Sequence, residues 1–333
     1  MTDEKVFGAL DRLAESNVHI SNLIIDDNWQ SIEYAKEGPY HFGWLEFEAE
    51  KESFPQGLKK TVDHIRRHHP GIKRIAVWHA LLGYWGGVSP HGKIASQYKT
   101  QVLEREHELQ DGIPIGGPID VIAKPDVYRL YDEFYRFLAS CGVDSVKTDV
   151  QYMLETAVDA APRRDLVREY LDSWAIASLR HLGNRVISCM SHSPQILFYG
   201  LLPNNRSPVL FRNSADFMPE IESSHPWHLW TNAHNAVFSS HLNVIVDWDM
   251  FQTVHDYSAY HAAARCVSGS PIYVTDVPGE HNIGLIRQMT ATSIRGGTVI
   301  LRPSIAGKVS DPYIGYNDKK LLKVGSYHGE SLA

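Results

Sequence analysis

Residues 144–149 read DSVKTD, a short run of strand-favouring residues that ends in an aspartate. Six further runs share its character: each is mostly apolar, ends at a polar residue and is followed by helical periodicity. Because apolar residues follow one another in these runs rather than alternating with polar ones, the runs predict strands of a parallel sheet that are buried on both faces. In chain order they are NLIID (22–26), RIAVWHAL (74–81), RVISCMS (185–191), VLFRNSAD (209–216), NVIVDWD (243–249) and PIYVTD (271–276).

The stretches between these runs carry helical patterns. Between Pro125 and Gly142, apolar residues recur at helical spacing, with the proline near the start and the glycine just past the end. Residues 58–65 predict a second helix, and residues 3–15 predict a helix at the start of the chain. The stretch 86–124 has weak periodicity, which indicates a long loop or a small insertion.

The alternation of strands and helices over 333 residues predicts one main α/β domain, a (β/α)8 barrel of the TIM type. We expect the barrel to cover residues 1–296. Residues 297–333 would form a short C-terminal β extension, starting with a strand in GTVILRP (297–303). A barrel of this type opens with a strand, whereas this chain opens with a helix. The sequence therefore predicts a barrel that lacks its first strand.

Composition narrows the classes of partner. The formal net charge of -7 disfavours nucleic acid, because proteins that bind it carry a basic patch or stripe. Cys141, Cys189 and Cys266 form no C-x-x-C pair, which indicates a reducing, cytoplasmic setting without a disulfide framework. No apolar run reaches the length of a membrane span. The 18 histidines show no H-x-H or H-E-x-x-H pattern, so we expect no metal and no other cofactor, with a metal-dependent hydrolase as a minor alternative.

Acidic residues collect at the ends of the predicted strands. In a parallel barrel all strand C-termini open onto one face, which is where active sites of this fold lie. We therefore expect these carboxylates to meet in one cavity, although any single aspartate could instead cap the following helix. The residues are Asp26, Asp27, Asp149, Asp216, Asp247, Asp249 and Asp276.

Tryptophans lie close to these acids in the sequence. Their flat apolar faces suit the C–H surface of a sugar ring, and each ring adds one N–H donor. The alternative is that they are core residues, and for Trp78, in the middle of a strand, the two interpretations are equally supported. The four tryptophans are Trp29, Trp78, Trp85 and Trp248.

Two strand ends combine an acid with a cation. Lys147 and Asp149 are two residues apart on a strand, so both side chains point to the same side. A nearby ammonium favours the ionised carboxylate, the form in which a carboxyl group acts as a nucleophile. Arg212 and Asp216 also have an even spacing. A local salt bridge at each strand end is the alternative.

Longer blocks of the sequence resemble a known family. In this order they closely resemble the raffinose synthase, seed imbibition and alkaline α-galactosidase proteins of glycoside hydrolase family 36. The resemblance runs from about residue 20 to residue 303 at the spacing of the predicted strands. The blocks are IIDDNWQS, VWHALLGYWGGV, SVKTDVQ, ISCMS, FRNSADFMPE, DWDMFQTVH and YHAAARCVSGSPIYVTDVPGEH.

The resemblance implies a role for each matching residue. The family's nucleophile in K-x-D falls on Asp149, and its general acid and base in R-x-x-x-D falls on Asp216. A retaining glycosidase uses such a pair, one carboxylate attacking the anomeric carbon and the other protonating the leaving oxygen. Asp216 would have to arrive protonated, as burial near another carboxylate would provide. The implied sugar-binding positions are Asp26, Asp27, Trp29, Trp78, Lys147, Arg212 and Asp249.

The resemblance also has departures. The family usually has glycine at the position of Asn28 and a second acid at that of Ala215, and its first barrel strand and a preceding β-sandwich domain have no counterpart here. The substrate implied is an oligosaccharide, an α-galactoside such as galactinol or a raffinose-family sugar. If water accepts the galactosyl group, the reaction is hydrolysis and the enzyme is a glycosidase. If a sugar hydroxyl accepts it, the enzyme is a galactosyltransferase. A truncated, non-catalytic barrel that binds sugar is the alternative of another class.

Overall fold

The structure, a computed structural model, describes residues 1–106, 115–202, 207–295 and 298–329. The chain divides into two units. Unit 1 comprises Met1–Phe7 and Ile20–Val209, and unit 2 comprises Gly8–His19 and Leu210–Ala333. Within the described ranges, no helix combines the length and the apolar character that crossing a bilayer requires.

Unit 1 alternates strands and helices. Helix α1 (Asp3–Glu15) starts in this unit and ends in unit 2. In chain order the other elements are β1 (Asn22–Ile25), β2 (Gln30–Glu33), β3 (Gly43–Ala49), α2 (Gly57–His68), β4 (Arg74–Ala80), α3 (Lys93–Gln97), β5 (Thr100–Arg105), β6 (Gly117–Ile122), α4 (Lys124–Ser140), β7 (Ser145–Asp149), α5 (Ala160–Leu182) and β8 (Val186–Ser188). Short 3-10 helices at Pro39–His41 and Gln151–Thr156 and a π-helical turn at Ile196–Gly200 complete the unit.

Four strands of unit 1 form a parallel sheet in the order β1, β4, β7, β8. Their residues are largely buried, as the continuous apolar runs predict. Helix α4 follows its predicted pattern: Pro125 lies in its first turn, and Val127, Leu130, Phe134 and Leu138 are buried on one face. Parallel strands linked by such helices confirm the predicted α/β class and barrel architecture.

Unit 1 also contains two antiparallel strand pairs that were not predicted from the sequence. Strands β2 and β3 pair with each other, as do β5 and β6. The predicted insertion 86–124 is therefore a structured element, with helix α3 and the β5–β6 hairpin, and part of it lies outside the described residues. In WLEFEAE (44–50) charged residues interrupt the apolar ones, so β3 lacks the continuous apolar run that predicts a buried parallel strand.

Unit 2 repeats the alternation on a smaller scale. Its elements are β9 (Val209–Arg212), which starts at the division between the units, α6 (Ser224–Ser239), β10 (Val244–Asp247), α7 (Ser258–Ser268), α8 (Ile283–Gln288), β11 (Thr290–Thr292), β12 (Thr298–Ile300), β13 (Lys308–Val309) and β14 (Val324–Gly325). Strands β9 and β10 are neighbours, and the pairs β11–β12 and β13–β14 are antiparallel. The predicted C-terminal β extension is thus present as short pairs.

One predicted strand is wrong. The run PIYVTD (271–276) forms only an isolated bridge, between Val274 and Phe251. Pro271 has no amide hydrogen to donate to a ladder, and Pro278 follows closely, so the extended segment is too short to become a strand. Its apolar side chains still contribute to the core of unit 2, against a buried cluster of Phe217, Phe251, Ala262, Leu285 and Met289.

Candidate functional site

The pairing of the parallel strands in unit 1 brings the predicted site residues into one row. Trp78 lies opposite Lys147, and Ala80 lies opposite Asp149. On the other side of β4, Ile25 pairs with Val77, so the acids that follow β1 come next to Trp78 along the sheet edge. Side chains two residues apart on one strand share a face, which puts Lys147 and Asp149 on the same side.

Lys147 links two carboxylates. Its Nζ lies 2.9 Å from Asp26 Oδ2 and 3.6 Å from Asp149 Oδ2. The lysine and Asp149 side chains are only 11% and 9% exposed, whereas that of Asp26 is 44% exposed. One ammonium with little contact to water therefore connects the two carboxylates. The predicted pairing of Lys147 with Asp149 is present, and it includes Asp26 as well.

Trp78 contacts Asp149 directly, and Trp29 supports Trp78. The buried Trp78 donates its Nε1–H to Asp149 Oδ2 at 2.9 Å. Trp29 donates its Nε1–H to the backbone oxygen of Trp78 at 2.6 Å, and no part of Trp29 is exposed. The Trp29 ring is therefore enclosed by the core and supports the strand that carries Trp78, while its contact with a sugar stays a prediction.

Asp27 is held by the turn that follows β4. Tyr84 donates its hydroxyl to Asp27 Oδ1 at 2.6 Å, and the partly exposed Trp85 donates its Nε1–H to Oδ2 at 3.1 Å. Burial raises the pKa of the Asp27 carboxyl, and these two hydrogen bonds partly offset the rise. Tyr84 was not singled out from the sequence, although it lies in the block VWHALLGYWGGV that carries the resemblance.

The departure at Asn28 has a conformational explanation. Asn28 has a φ of 70°, in the left-handed region. Glycine adopts this region without cost, and asparagine is the side chain that tolerates it best. Asparagine therefore preserves the backbone turn that a glycine would make after Asp27. Val150, directly after Asp149, also has a positive φ, of 56°, which is unusual for a β-branched residue and marks a strained turn at this site.

In unit 2, Arg212 is the centre of the predicted site. Its guanidinium lies 2.9 Å from Asp216 Oδ1, 2.7 Å from Asp249 Oδ1 and 3.6 Å from Asp247 Oδ2. Tyr273 donates its hydroxyl to Asp247 Oδ2 at 2.8 Å. The arginine itself is 4% exposed at its side chain, so a planar, permanently charged group is fixed at the end of β9.

The two acids on either side of Arg212 differ in exposure. The Asp216 side chain is 71% exposed, while that of Asp249 is 1% exposed. Asp249 accepts hydrogen bonds from the amides of Phe217 and Met250 as well as from Arg212. The carboxylate of Asp249 is thus used internally to orient Arg212, and its contact with a sugar stays a prediction. The burial expected for Asp216 is wrong in this structure.

Arg265 supports this arrangement and was missed from the sequence. It is fully buried and donates to the backbone oxygens of Trp248 at 2.7 Å and Met250 at 3.1 Å. Its NH1 lies 2.8 Å from His261 Nδ1, and because arginine can only donate, that histidine nitrogen accepts. Their i, i+4 spacing in helix α7 indicates in the sequence that the His261 and Arg265 side chains can contact each other.

Among the residues that the structure describes, no group of three or more histidine, cysteine, aspartate or glutamate side chains is arranged to hold a metal ion. Unit 1 offers a buried carboxylate, Asp149, beside an ammonium and two further carboxylates that can accept hydrogen bonds. Unit 2 offers a solvent-accessible carboxylate oriented by an arginine. Nucleophilic attack and proton transfer are the two functions that such carboxylates serve in glycoside chemistry.

Residues 42–324 match the family model described as raffinose synthase or seed imbibition protein Sip1. Two curated relatives from Arabidopsis thaliana are similar. Probable galactinol–sucrose galactosyltransferase 6 is 35% identical over 311 residues, which are 87% of this chain and 40% of the relative. Probable galactinol–sucrose galactosyltransferase 1 is 31% identical over 362 residues, 97% of this chain and 46% of the relative. The chain thus spans less than half the length of these relatives.

A solved structure shows the same fold. An α-galactosidase from Thermus thermophilus, in complex with p-nitrophenyl α-D-galactopyranoside, aligns with a TM-score of 0.58 at 16% sequence identity. The alignment covers 92% of this chain and 63% of that chain.

Proposed function

Because the chain belongs to the raffinose synthase and seed imbibition protein family, we propose that it carries the donor-sugar site of a retaining enzyme that acts on α-galactosides. The observation that supports this most is the position of Lys147 between Asp26 and Asp149, with Trp78 donating to the same Asp149 oxygen. The donor would be a neutral oligosaccharide with a terminal α-galactose.

In the proposed first step, Asp149 attacks the anomeric carbon of galactose. The bond to the leaving oxygen breaks, and that oxygen takes the proton of Asp216. The product is a galactosyl ester of Asp149 with inverted anomeric configuration. The Asp216 side chain is 71% exposed, so in this mechanism the bound substrate shields it from water, which favours the protonated form of a carboxyl group.

In the second step, Asp216 removes a proton from the acceptor, whose oxygen attacks the ester and restores the original configuration. Meanwhile Asp26 and Asp27 accept hydrogen bonds from galactose hydroxyls, and Lys147 donates to one of them. Arg212 keeps Asp216 oriented through its ion pair. With water as acceptor the reaction is hydrolysis.

Galactosyl transfer to a sugar hydroxyl is the second candidate, and the similarity to the two galactinol–sucrose galactosyltransferases from Arabidopsis favours it. Incubating the chain with galactinol plus sucrose, and separately with raffinose in water, distinguishes the two. A trisaccharide product in the first mixture indicates transfer, and free galactose in the second indicates hydrolysis.

The test of the proposed mechanism is turnover of an aryl α-galactoside. Asp149→Ala should lower kcat by about 10⁴-fold or more. Asp216→Ala should lower it by about 10²- to 10⁴-fold, less for better leaving groups. Azide should then restore turnover in both variants, giving the β-galactosyl azide from Asp149→Ala and the α-galactosyl azide from Asp216→Ala.

Azide products of the same configuration from both variants would contradict these roles. Sugar binding by the unmodified chain without any turnover would instead support the alternative of a non-catalytic sugar-binding barrel.

A further inference from the structure

The turn directly after Asp149 has an unusual backbone conformation. Val150 has a φ of 56° and a ψ of 29°, in the left-handed region, although it is β-branched and buried. This conformation directs its amide back at the preceding side chain, so that the Val150 N–H donates to Asp149 Oδ1 at 2.8 Å. The other oxygen, Oδ2, accepts from Trp78. One carboxylate oxygen is thus held by a side chain and the other by the left-handed turn.

Gln151 is the residue that holds this turn. A backbone conformation of this kind persists only where the surrounding contacts impose it. Gln151 follows Val150, begins a short 3-10 helix and is completely buried. Its Nε2 donates to the carbonyl oxygen of Thr148 at 3.0 Å and to Ser188 Oγ at 2.8 Å. Since an amide nitrogen carries two hydrogens, both are used, and the side chain closes a loop from residue 151 back to residue 148.

The two acceptors of Gln151 are themselves fixed by neighbouring strands. Thr148 precedes Asp149 in β7, and its carbonyl oxygen also accepts from the Cys189 amide at 2.9 Å. Ser188 is the last residue of β8, and its hydroxyl donates to Ser191 Oγ at 3.0 Å, which leaves its lone pairs for Gln151. The Gln151 amide therefore connects the strand that carries Asp149 with the next strand of the sheet.

The oxygen of the same amide group has no donor. Among the residues that the structure describes, none gives a hydrogen bond to the buried Gln151 Oε1. A buried acceptor without a donor destabilises a folded protein, and an apolar side chain of similar volume would avoid that cost. The two N–H donors of Gln151, rather than its bulk, thus explain an amide at this position. An unsatisfied polar atom beside a left-handed turn is a feature of functional sites.

From these contacts we infer that Gln151 is a positioning residue, which holds the left-handed turn at Val150 and through it the orientation of the Asp149 carboxylate. The inference rests on the proposed function, because that function makes Asp149 the nucleophile. Gln151 acts through the backbone and is assigned no contact with substrate. Misplacing a reacting group by about 1 Å can lower a rate by about 10²-fold, even when the substituted residue lies away from the chemistry.

The test compares Gln151→Met with the unmodified chain, because methionine keeps most of the volume and has no N–H donor. With an aryl α-galactoside, kcat should fall by about 10- to 100-fold while KM stays within about threefold. Ser188→Ala, which removes one acceptor and keeps Gln151, should lower kcat by about 3- to 10-fold.

The control is Tyr170→Phe. The buried Tyr170 hydroxyl accepts from the Ile122 amide and donates to the Ile122 carbonyl oxygen, so this variant also loses buried hydrogen bonds, but to β6. It should lose stability and keep kcat within about twofold.

A fluorinated galactosyl inactivator with a good leaving group isolates the attack by Asp149, because such a group needs no proton from Asp216. At saturating reagent, the rate of inactivation should fall by about 10- to 100-fold in Gln151→Met and stay unchanged in Tyr170→Phe. If Gln151→Met only loses stability and keeps both kcat and the inactivation rate, the inference is overturned and the proposed function is left intact.

If the unmodified chain neither turns over the substrate nor reacts with the inactivator, the proposed function fails. Hydrogen exchange of the Val150 amide, followed by NMR, then decides separately whether Gln151 holds the turn. In Gln151→Met this amide should exchange at least about tenfold faster, while the Val146 amide in the middle of β7 keeps its rate. An unchanged Val150 rate, or equal acceleration of both amides, refutes the inference whatever the turnover.

Discussion

Trp78 combines a structural and a chemical role in a single side chain. Its ring is buried, and its Nε1–H donates to Asp149 Oδ2, the same oxygen that lies 3.6 Å from Lys147 Nζ. A hydrogen bond to a charged group contributes about 1.5–3 kcal/mol, more than a bond between neutral groups. Trp78 therefore positions the Asp149 carboxylate, the nucleophile of the proposed function, and its contact with a sugar stays a prediction.

Trp78→Phe removes that donor while keeping most of the ring. We predict that kcat for an aryl α-galactoside falls by about 10- to 100-fold, which corresponds to the free energy of a charge-assisted bond. The matched control is Trp174→Phe, since Trp174 is equally buried but donates to Thr148 Oγ1, which points to the other side of β7. The control should lose stability and retain kcat within about threefold. Equal losses of kcat in both variants would contradict the role of Trp78.

Asn28 provides a test of backbone conformation. Because its φ of 70° is left-handed, Asn28→Gly should preserve the free energy of unfolding within about 0.5 kcal/mol. Asn28→Val should lower it by roughly 1–2 kcal/mol, since a β-branched residue clashes in this region. Urea unfolding of the three proteins measures both differences. A valine variant as stable as the glycine variant would show that the turn after Asp27 does not need the left-handed conformation.

At the level of elements, the sequence predicts best what depends on local pattern. The stripe of apolar residues in α4, with its proline and glycine at the ends, specified that helix correctly. Continuous apolar runs specified β4 and β7, and with them the shared face of Lys147 and Asp149. These features are set within one element and its nearest neighbours.

What the sequence did not predict depends on contacts between distant segments. The burial of Trp29 and Asp249 results from how the core and the Arg212 ion pairs close around them, which no local pattern encodes. The guanidinium of Arg105 reaches carbonyl oxygens of two separate turns, and an arginine in the strand pattern TQVLER gave no sign of it.

Arg105 also supports a prediction about the insertion. Arg105→Met leaves buried carbonyl oxygens without a donor, so we expect the free energy of unfolding to fall by roughly 2–4 kcal/mol. Hydrogen exchange should become faster in β5 and β6, while the amides of β7 remain protected. Arg129→Met serves as the control, because Arg129 is 49% exposed and should change stability by less than about 1 kcal/mol. Uniformly faster exchange throughout unit 1 would contradict a local role.

For the whole molecule, buried histidines make stability depend on pH. Burial, assisted by the charge of Arg265, lowers the pKa of His261 to about 2 and that of His228 to about 3. Burial alone lowers the pKa of His79 to about 4. The unfolded chain takes up these protons below its own histidine pKa near 6.5, whereas the folded chain does not. The neutral buried histidines therefore make their full contribution to the free energy of unfolding above pH 6.5. This contribution is lost progressively as the pH falls from 6.5 toward the histidine pKa values of the folded chain.

At pH 5.5 each such histidine should lower the free energy of unfolding by about 1.4 kcal/mol relative to neutral pH. His261→Asn, whose amide oxygen can still accept from Arg265, should remove one of these contributions. The difference between the unfolding free energies at pH 7.5 and pH 5.5, measured with urea, should thus shrink in this variant. His19→Asn, at an exposed position, should leave the difference unchanged. If the unfolding free energies at pH 7.5 and pH 5.5 differ by the same amount in His261→Asn and in the unmodified chain, protonation of His261 does not contribute to the pH dependence of stability.

The central claim is that Asp149 forms the covalent bond to galactose, and a mechanism-based fluorinated galactosyl inactivator tests it directly. Residues 148–163 form one tryptic peptide, which starts after Lys147 and contains Asp149. We predict one galactosyl adduct on this peptide, localised to Asp149 by fragmentation and abolished in Asp149→Ala. A stable adduct on the peptide that follows Arg212, or on any residue other than Asp149, would contradict it.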